Sequence, residues 1–322
     1  MVRYIIQRLL ISIPILIGVS LVAFFLVQAS GDPMAVYISN PNLSPEDIAR
    51  LEKTYGFDKP VYVQYLLWLG KVVRGDWGQS FLTHQPVLSM IGGRLGNTAI
   101  LMVTSFIVTL IISVTLGLYS ATHQYSVGDY VVTTVSFLGY SMPSFWFGLM
   151  LIIVFAVKFR EWGLPYLPAA GMYPIREEPS FFQLLRHMVL PVTVLSLISV
   201  AKYTRYLRSS MLEVINQDYI RTARSKGLTE RLILWRHAFK NAIIPLITLI
   251  MLDIPFLFSG ALITEQVFAW PGMGRMYWEH AVWVDYPVLM GIILLVSALV
   301  VFCNLLADVS YAFIDPRIRI DA

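Results

Sequence analysis

Apolar residues gather along the chain in long unbroken runs, without the short amphipathic stripes that build a soluble fold. Five runs are long enough to cross a hydrocarbon layer of about 30 Å, which takes about 20 helical residues. They cover residues 9–29, 98–122, 130–157, 241–264 (interrupted by Asp253) and 288–307. A sixth run, 188–206, has an uncharged core that ends at Lys202. Each predicts a helix, because lipid offers no partner to a backbone N–H or C=O. The basic start of the chain followed by an apolar stretch has the form of a signal peptide. Residues 9–29 nonetheless suffice to span, and no convincing small-residue cleavage site follows, so a retained first helix is expected.

The polar segments between the runs carry patterns of their own. In residues 30–97, Ser44-Pro45-Glu46-Asp47 reads as a helix start, with Ser as N-cap, Pro at the first position and acids in the first turn. That helix is expected to end near Gly56. A second apolar-periodic stretch runs over 61–73 and stops at Gly75-Asp76-Trp77-Gly78. The segment therefore predicts a small helical cap, which either docks a partner or roofs the bundle. In residues 206–240, Ala223 and Gly227 are four apart and share a helical face, with Arg221, Arg224 and Lys226 projecting elsewhere. Gly227 ends that helix or turns it sharply. A short helix with a small-residue face can seat in a cleft on another protein. An ordinary basic loop on anionic lipid fits the same residues.

Charge orients these elements. With the N-terminus inside, 13 of the 24 Lys and Arg fall on the cytoplasmic side, and the other 11 are spread over longer outside loops. Dropping the span at 188–206 would put the basic stretch 202–240 outside. The expectation is thus an all-α membrane protein, one transmembrane domain over 1–322. It has six transmembrane helices, both termini cytoplasmic, an external cap at 30–97 and a cytoplasmic segment at 206–240. Composition agrees: 57% of residues are hydrophobic and 14% charged, too few charges to coat a soluble globule. The net charge of +4 does not point to nucleic acid, because the basic residues form no dense block. A single cysteine, Cys303, excludes an intrachain disulfide framework. Small residues at four-residue spacing, Ser113 with Gly117 and Gly139 with Pro143, suit close helix packing in lipid.

Several motifs in order resemble a known family. The run Asp218-Tyr219-Ile220-Arg221-Thr222-Ala223-Arg224-Ser225-Lys226-Gly227-Leu228-Thr229-Glu230-Arg231 is followed by Arg236-His237-Ala238 and Asn241-Ala242-Ile243-Ile244-Pro245. Around it stand Gly31-Asp32-Pro33, Gly75-Asp76-Trp77-Gly78, Arg94-Leu95 with Asn97-Thr98, and Ser141-Met142-Pro143-Ser144-Phe145-Trp146-Phe147-Gly148. Toward the end come Ile263-Thr264-Glu265, Val267-Phe268, Trp270-Pro271-Gly272-Met273-Gly274-Arg275, Asp308, Tyr311 and Asp315-Pro316-Arg317. Together they resemble the permease subunits of oligopeptide and dipeptide ABC importers, and the long segment after the first helix resembles the B-type permease. The resemblance implies a coupling helix that contacts an ATPase subunit through Tyr219, Arg221, Thr222, Ala223, Lys226, Gly227 and Leu228. The general importer signature begins Glu-Ala-Ala, and here Arg221-Thr222-Ala223 stands in its place. From that signature only Ala223 and Gly227 carry over. Also implied are a homologous second permease, ATP-binding subunits, an extracytoplasmic solute-binding protein, a peptide substrate and a prokaryotic plasma (inner) membrane.

No Gly-x-x-x-x-Gly-Lys-Ser/Thr loop occurs, so ATP and Mg belong to the partner subunits and this chain is expected to bind no cofactor. The five histidines are scattered and signal no metal or catalytic site. Asp253 is the residue to explain inside the bilayer, where a charge costs about 2.5–3.5 kcal/mol on insertion scales. Either it lines the translocation pathway, together with Ser141 and Pro143, and meets a peptide's ammonium group, or it is a buried pair or a protonated acid. Asp308 reads as structural. Related permeases for nickel chelates, glutathione or another solute are the alternative substrate reading. An ion-coupled secondary transporter is disfavoured because the spans at 9–29, 98–122, 130–157 and 288–307 carry no coupling acids. A membrane enzyme would need a clustered catalytic set, which the sequence does not offer.

Overall fold

A computed structural model describes residues 2–32, 34–38, 44–174, 178–258 and 261–314, with side chains given except at 2–5, 35, 36, 258 and 309–314. Pro33 and Asp315-Pro316-Arg317, expected motif residues, lie outside the described residues, as does the side chain of Tyr311. The chain is nearly all helix, as its runs predict. The first half holds α1 (Val2–Ser30), α2 (Ala35–Ile38), α3 (Pro45–Tyr55), α4 (Val61–Val73), α5 (Val87–Thr122), α6 (Val127–Ser141) and α7 (Ser144–Leu151). A π-helical stretch at Ile152–Lys158 then leads into α8 (Phe159–Glu161). After α9 (Phe181–Ile215) come α10 (Asp218–Ser225), α11 (Glu230–Leu232), a second π-helical stretch at Ile233–Phe239 and α12 (Lys240–Ala242). The last elements are α13 (Ile244–Asp253), a 3₁₀ turn at Ile254–Phe258, α14 (Leu262–Val267), α15 (Met273–Ala281) and α16 (Tyr286–Ile314).

Among the described residues, four stretches are long and apolar enough to cross a membrane: Ile6–Ser30, Val87–Thr122, Phe181–Ile215 and Tyr286–Asp308. Two bent pairs raise the number to six if each is one span. Here the structure corrects two expectations. Residues 130–157 are not one straight helix: Val127–Ser141 and Ser144–Glu161 meet at 107°. Pro143 forces this break, because proline lacks an N–H and pushes Met142 to an extended φ/ψ of −80°/131°. Residues 241–264 are likewise divided, with a 45° bend between Glu230–Ala242 and Ile244–Leu257, and α13 stopping at Asp253. Pro245 starts the new helix, where a missing N–H costs nothing.

The fold divides into two compact units, Met1–Thr98 with Pro271–Ala322, and Ala99–Trp270. In the first, α1 packs along α16, and Arg8 pairs with Asp308 at 3.2 Å, the structural role expected for that acid. The cap folds as its sequence predicts. Ser44 and Asp47 form a capping box at α3, and the helix closes at Gly56 in the left-handed region. Donation by Ser44 holds the Asp47 carboxyl below its ordinary range. The α4 helix rests on α1 through the Ser20–Tyr65 hydroxyl pair at 2.9 Å. Phe24 meets Tyr65 and Tyr286 edge-on, each at 5.3 Å. In this chain, then, the cap roofs the ends of α1 and α16.

In the second unit, α6 packs along α9 at close range. A Cβ on Gly139 would stand 2.5 Å from Leu197 Cγ, so a larger residue would push the helices apart. The small-residue spacing thus serves helix packing.

Candidate functional site

The segment after α9 is folded onto the core by two side chains. Ile220 is wholly buried and Ala223 nearly so, in one apolar cluster with Leu207, Met211, Ile233 and Ala238. Tyr219, Arg221, Thr222 and Arg224 occupy the outer side of α10 and are exposed. Ala223 and Gly227 do not share a helical face, contrary to the sequence reading. The helix ends at Ser225, and Gly227 adopts φ 74°, a left-handed turn that glycine makes without strain. Ala223 faces the chain's own core, while Lys226 and Gly227 are exposed in the turn and Leu228 is half-buried. The Asn241 amide donates to the Tyr219 hydroxyl at 3.0 Å. Arg224 donates to Glu230 across the turn at 2.9 Å. The outcome is a short, well-seated knuckle that presents tyrosine, threonine and basic groups outward.

The Asp253 carboxylate ends α13 and is answered from α9. Lys202 Nζ donates to its two oxygens at 3.0 and 2.8 Å, and the Tyr203 hydroxyl donates at 2.5 Å. The pair stays partly open, with side-chain exposures of 36% for Lys202 and 28% for Asp253. The α9 helix runs on through Lys202 to Ile215, past the expected end of its span near residue 206. Each charge supplies the partner that the other needs in an apolar setting. Ser141 lies at the end of α6 with its hydroxyl donating to Phe137 C=O at 2.9 Å, and Pro143 forms the bend. Among the described residues, no hydrogen bond or ion pair joins these two to Asp253.

Three polar groupings escaped the sequence reading. Arg208 grips Asp129 with two parallel hydrogen bonds of 2.9 and 2.8 Å, fixing the start of α6 to α9. Asn97 donates to Pro271 C=O at 2.9 Å, and Met273 N–H donates to Thr98 Oγ1 at 2.7 Å, so two quoted motifs 174 and 175 residues apart meet. The third is sealed: Asp285 has no exposure. It accepts from the Ser80 hydroxyl at 2.5 Å, Phe81 N–H at 3.0 Å and His280 Nδ1 at 2.8 Å. Burial pushes its pKa up, but these donors together outweigh burial and hold it below the usual carboxylate value. A signal for this latch existed in the five-residue spacing of His280 and Asp285 ahead of an apolar run, but nothing local pointed to Ser80.

Several of the ordered motifs thus fall at breaks between helices, residues 141–148 at the 107° bend and residues 241–245 at the 45° bend. The family profile "Binding-protein-dependent transport system inner membrane component" matches residues 113–320, and the corresponding N-terminal profile matches 1–102. The chain belongs to this family of transport permeases. It is 44% identical to the oligopeptide transport system permease protein AppB of Bacillus subtilis, over 99% of this chain and 100% of that one. It is 40% identical to a putative peptide permease protein of Brucella ovis, again over 99% and 100%. The dipeptide transport system permease protein DppB of Escherichia coli K12 is 37% identical over 99% of each chain. One chain of a solved amino acid ABC transporter aligns over 72% of this chain and 95% of its own, at 14% identity and TM-score 0.47, too distant to carry an argument. The protein is therefore a multi-pass membrane permease subunit of the ABC-importer class rather than an enzyme, as its sequence resemblance implied.

Proposed function

We propose that this permease forms half of the translocation pathway for oligopeptides or dipeptides in a prokaryotic plasma membrane. The observation that carries the substrate class is full-length similarity to permeases named for oligopeptide and dipeptide transport. A homologous second permease supplies the other half of the pathway, and an extracytoplasmic solute-binding protein delivers the peptide. ATP and Mg are bound by separate ATP-binding subunits. The α10 knuckle is the coupling element: Tyr219, Arg221, Thr222, Lys226 and Gly227 meet the ATPase, while Ile220, Ala223 and Leu228 fix the knuckle to the bundle. Its seating in the core supports this reading, because a rigid knuckle moves α9 and α12 when it is pulled. Closure of the ATPases on ATP then turns the bundle from inward- to outward-facing as a rigid-body motion. The partly open Lys202–Asp253 pair, with Ser141 and Pro143, borders the pathway.

Affinity capture of the chain from mild-detergent membranes, with mass spectrometry of what co-purifies, tests this proposal. Recovery of a homologous permease with ATP-binding subunits is the expected result. Recovery of the chain alone, or only as a homodimer, in several detergents would overturn it.

A further inference from the structure

The first unit holds a cavity of about 300 Å³ beside α4 that the transport reading leaves unused. Its floor is aromatic, with Phe24, Trp68 and Tyr286 among the lining residues. Lys53, Lys59 and Lys71 line its edge, and none forms an ion pair among the described residues. The one acid that lines it, Asp76, accepts from Gly78 N–H at 3.0 Å and so serves its own turn. The cavity is thus apolar below and cationic at the edge.

Two buried polar atoms in the wall also lack a partner, Gln64 Oε1 and the Tyr286 hydroxyl. The Gln64 amide orientation is set, because its Nε2 donates to Phe57 C=O at 3.2 Å and Lys59 C=O at 2.8 Å. Its oxygen therefore calls for a donor. A buried acceptor left alone is costly, so a ligand that brought a hydroxyl to it would be held more tightly.

Position selects the ligand. Phe24 lies toward the end of one candidate span, Ile6–Ser30, and Tyr286 begins another, Tyr286–Asp308. Their ring contact places the cavity where the two spans leave the hydrocarbon, at the depth of lipid headgroups. The outer face of α4 is apolar and uncovered among the described residues: Tyr62, Leu66 and Val73 are 65%, 61% and 79% exposed. A helix with such a face, carrying lysines near both ends and packed against α1, lies in the membrane interface.

We propose that this cavity holds the headgroup of an anionic phospholipid drawn from the leaflet on which α4 lies. The phosphodiester sits among Lys53, Lys59 and Lys71, the glycerol end supplies hydroxyl donors toward Gln64 and Tyr286, and the acyl chains leave along the apolar face of α4. The proposal needs only that the chain sits in a membrane and does not depend on the transported solute.

Native mass spectrometry of the purified full chain, titrated with phosphatidylglycerol or phosphatidylcholine, tests it. One phosphatidylglycerol is expected to remain bound at least tenfold more tightly than phosphatidylcholine. The variant K53Q/K59Q/K71Q is expected to lose that preference. Leu67→Trp, which fills the half-open wall while keeping every lysine, is expected to lose it too. An unchanged preference in Leu67→Trp would show diffuse surface charge and overturn the proposal, as would equal retention of both lipids. Competition by soluble glycerol phosphate at equal concentration would replace the lipid with a free phosphate ester. In the assembled importer, Leu66→Cys in a Cys303→Ala background should be shielded by lipid. Its cross-linking to a second copy or to the companion permease would assign the α4 face to protein instead.

Discussion

Asp253 interrupts one apolar run and Asp285 stands just before another, and the structure treats them oppositely. Asp285 is sealed, and three neutral or histidine donors converge on it from two distant stretches of chain. Asp253 is partly open and is matched by a full positive charge on the neighbouring helix, with one hydroxyl in support. The first arrangement suits a static latch: it closes the turn before α16 onto the loop that begins at Ser80. The second suits a region whose surroundings change, because an ion pair in reach of water can loosen without stranding a buried charge. The comparison teaches that an acid's burial and partner type, more than its presence in an apolar run, separate a structural role from a mobile one.

Removing the sealed acid should have the largest effect. Asp285→Ala orphans three buried donors, and at about 1–3 kcal/mol for each unsatisfied group the loss is on the order of 3 kcal/mol or more. A lower melting temperature of the purified chain and faster protease cleavage in residues 78–86 are expected. Unchanged stability would erase the contrast with Asp253.

Asp253→Asn should do the reverse. Because Asn keeps an acceptor for Lys202 and Tyr203, the stability loss should be smaller than in Asp285→Ala. Peptide uptake by the assembled importer should fall at least tenfold while ATP hydrolysis continues. Adding Lys202→Gln should restore part of the uptake if the pair acts by mutual neutralisation. Failure of that double variant to improve on Asp253→Asn would assign Asp253 a direct contact with substrate, and full uptake in Asp253→Asn would remove it from the pathway.

Acid sharpens the same contrast. The folded pKa of Asp285 is depressed, so its contribution is complete above the unfolded value of about 4 and disappears as pH falls through the folded value. Denaturation of the wild-type chain between about pH 5 and pH 2 should show this loss, and Asp285→Asn should flatten it. An identical acid limb in the variant would mean that other carboxylates set it.

The smallest effects belong to the knuckle. Gly227→Ala forces a side chain into a left-handed turn and should cost about 1 kcal/mol. Arg221→Ala removes an exposed side chain and should leave stability within about 0.5 kcal/mol. If the knuckle couples to the ATPase, both should lower ATP hydrolysis in the complex. Normal coupled hydrolysis in Arg221→Ala would take that residue out of the contact.

The chain's local chemistry determined a good deal unaided. The Ser44 cap, the end of α3 at Gly56 and the bounds of α4 follow from capping and periodicity, which act within one or two turns of helix. The long apolar runs dictated helices in contact with lipid, and the ordered motifs indicated the permease family. Pro143 was visible in the sequence as well, but the 107° bend depends on how α6 and α7 each pack after proline has broken the hydrogen-bond ladder. Only tertiary structure could decide the polar partners. Lys202 and Asp253 are 51 residues apart, Asp129 and Arg208 79, and Ser80 and Asp285 205. No local preference joins such residues. The reason is energetic: a charge or hydroxyl withdrawn from water takes whichever partner the folded chain brings within 3 Å, and sequence spacing does not report that distance.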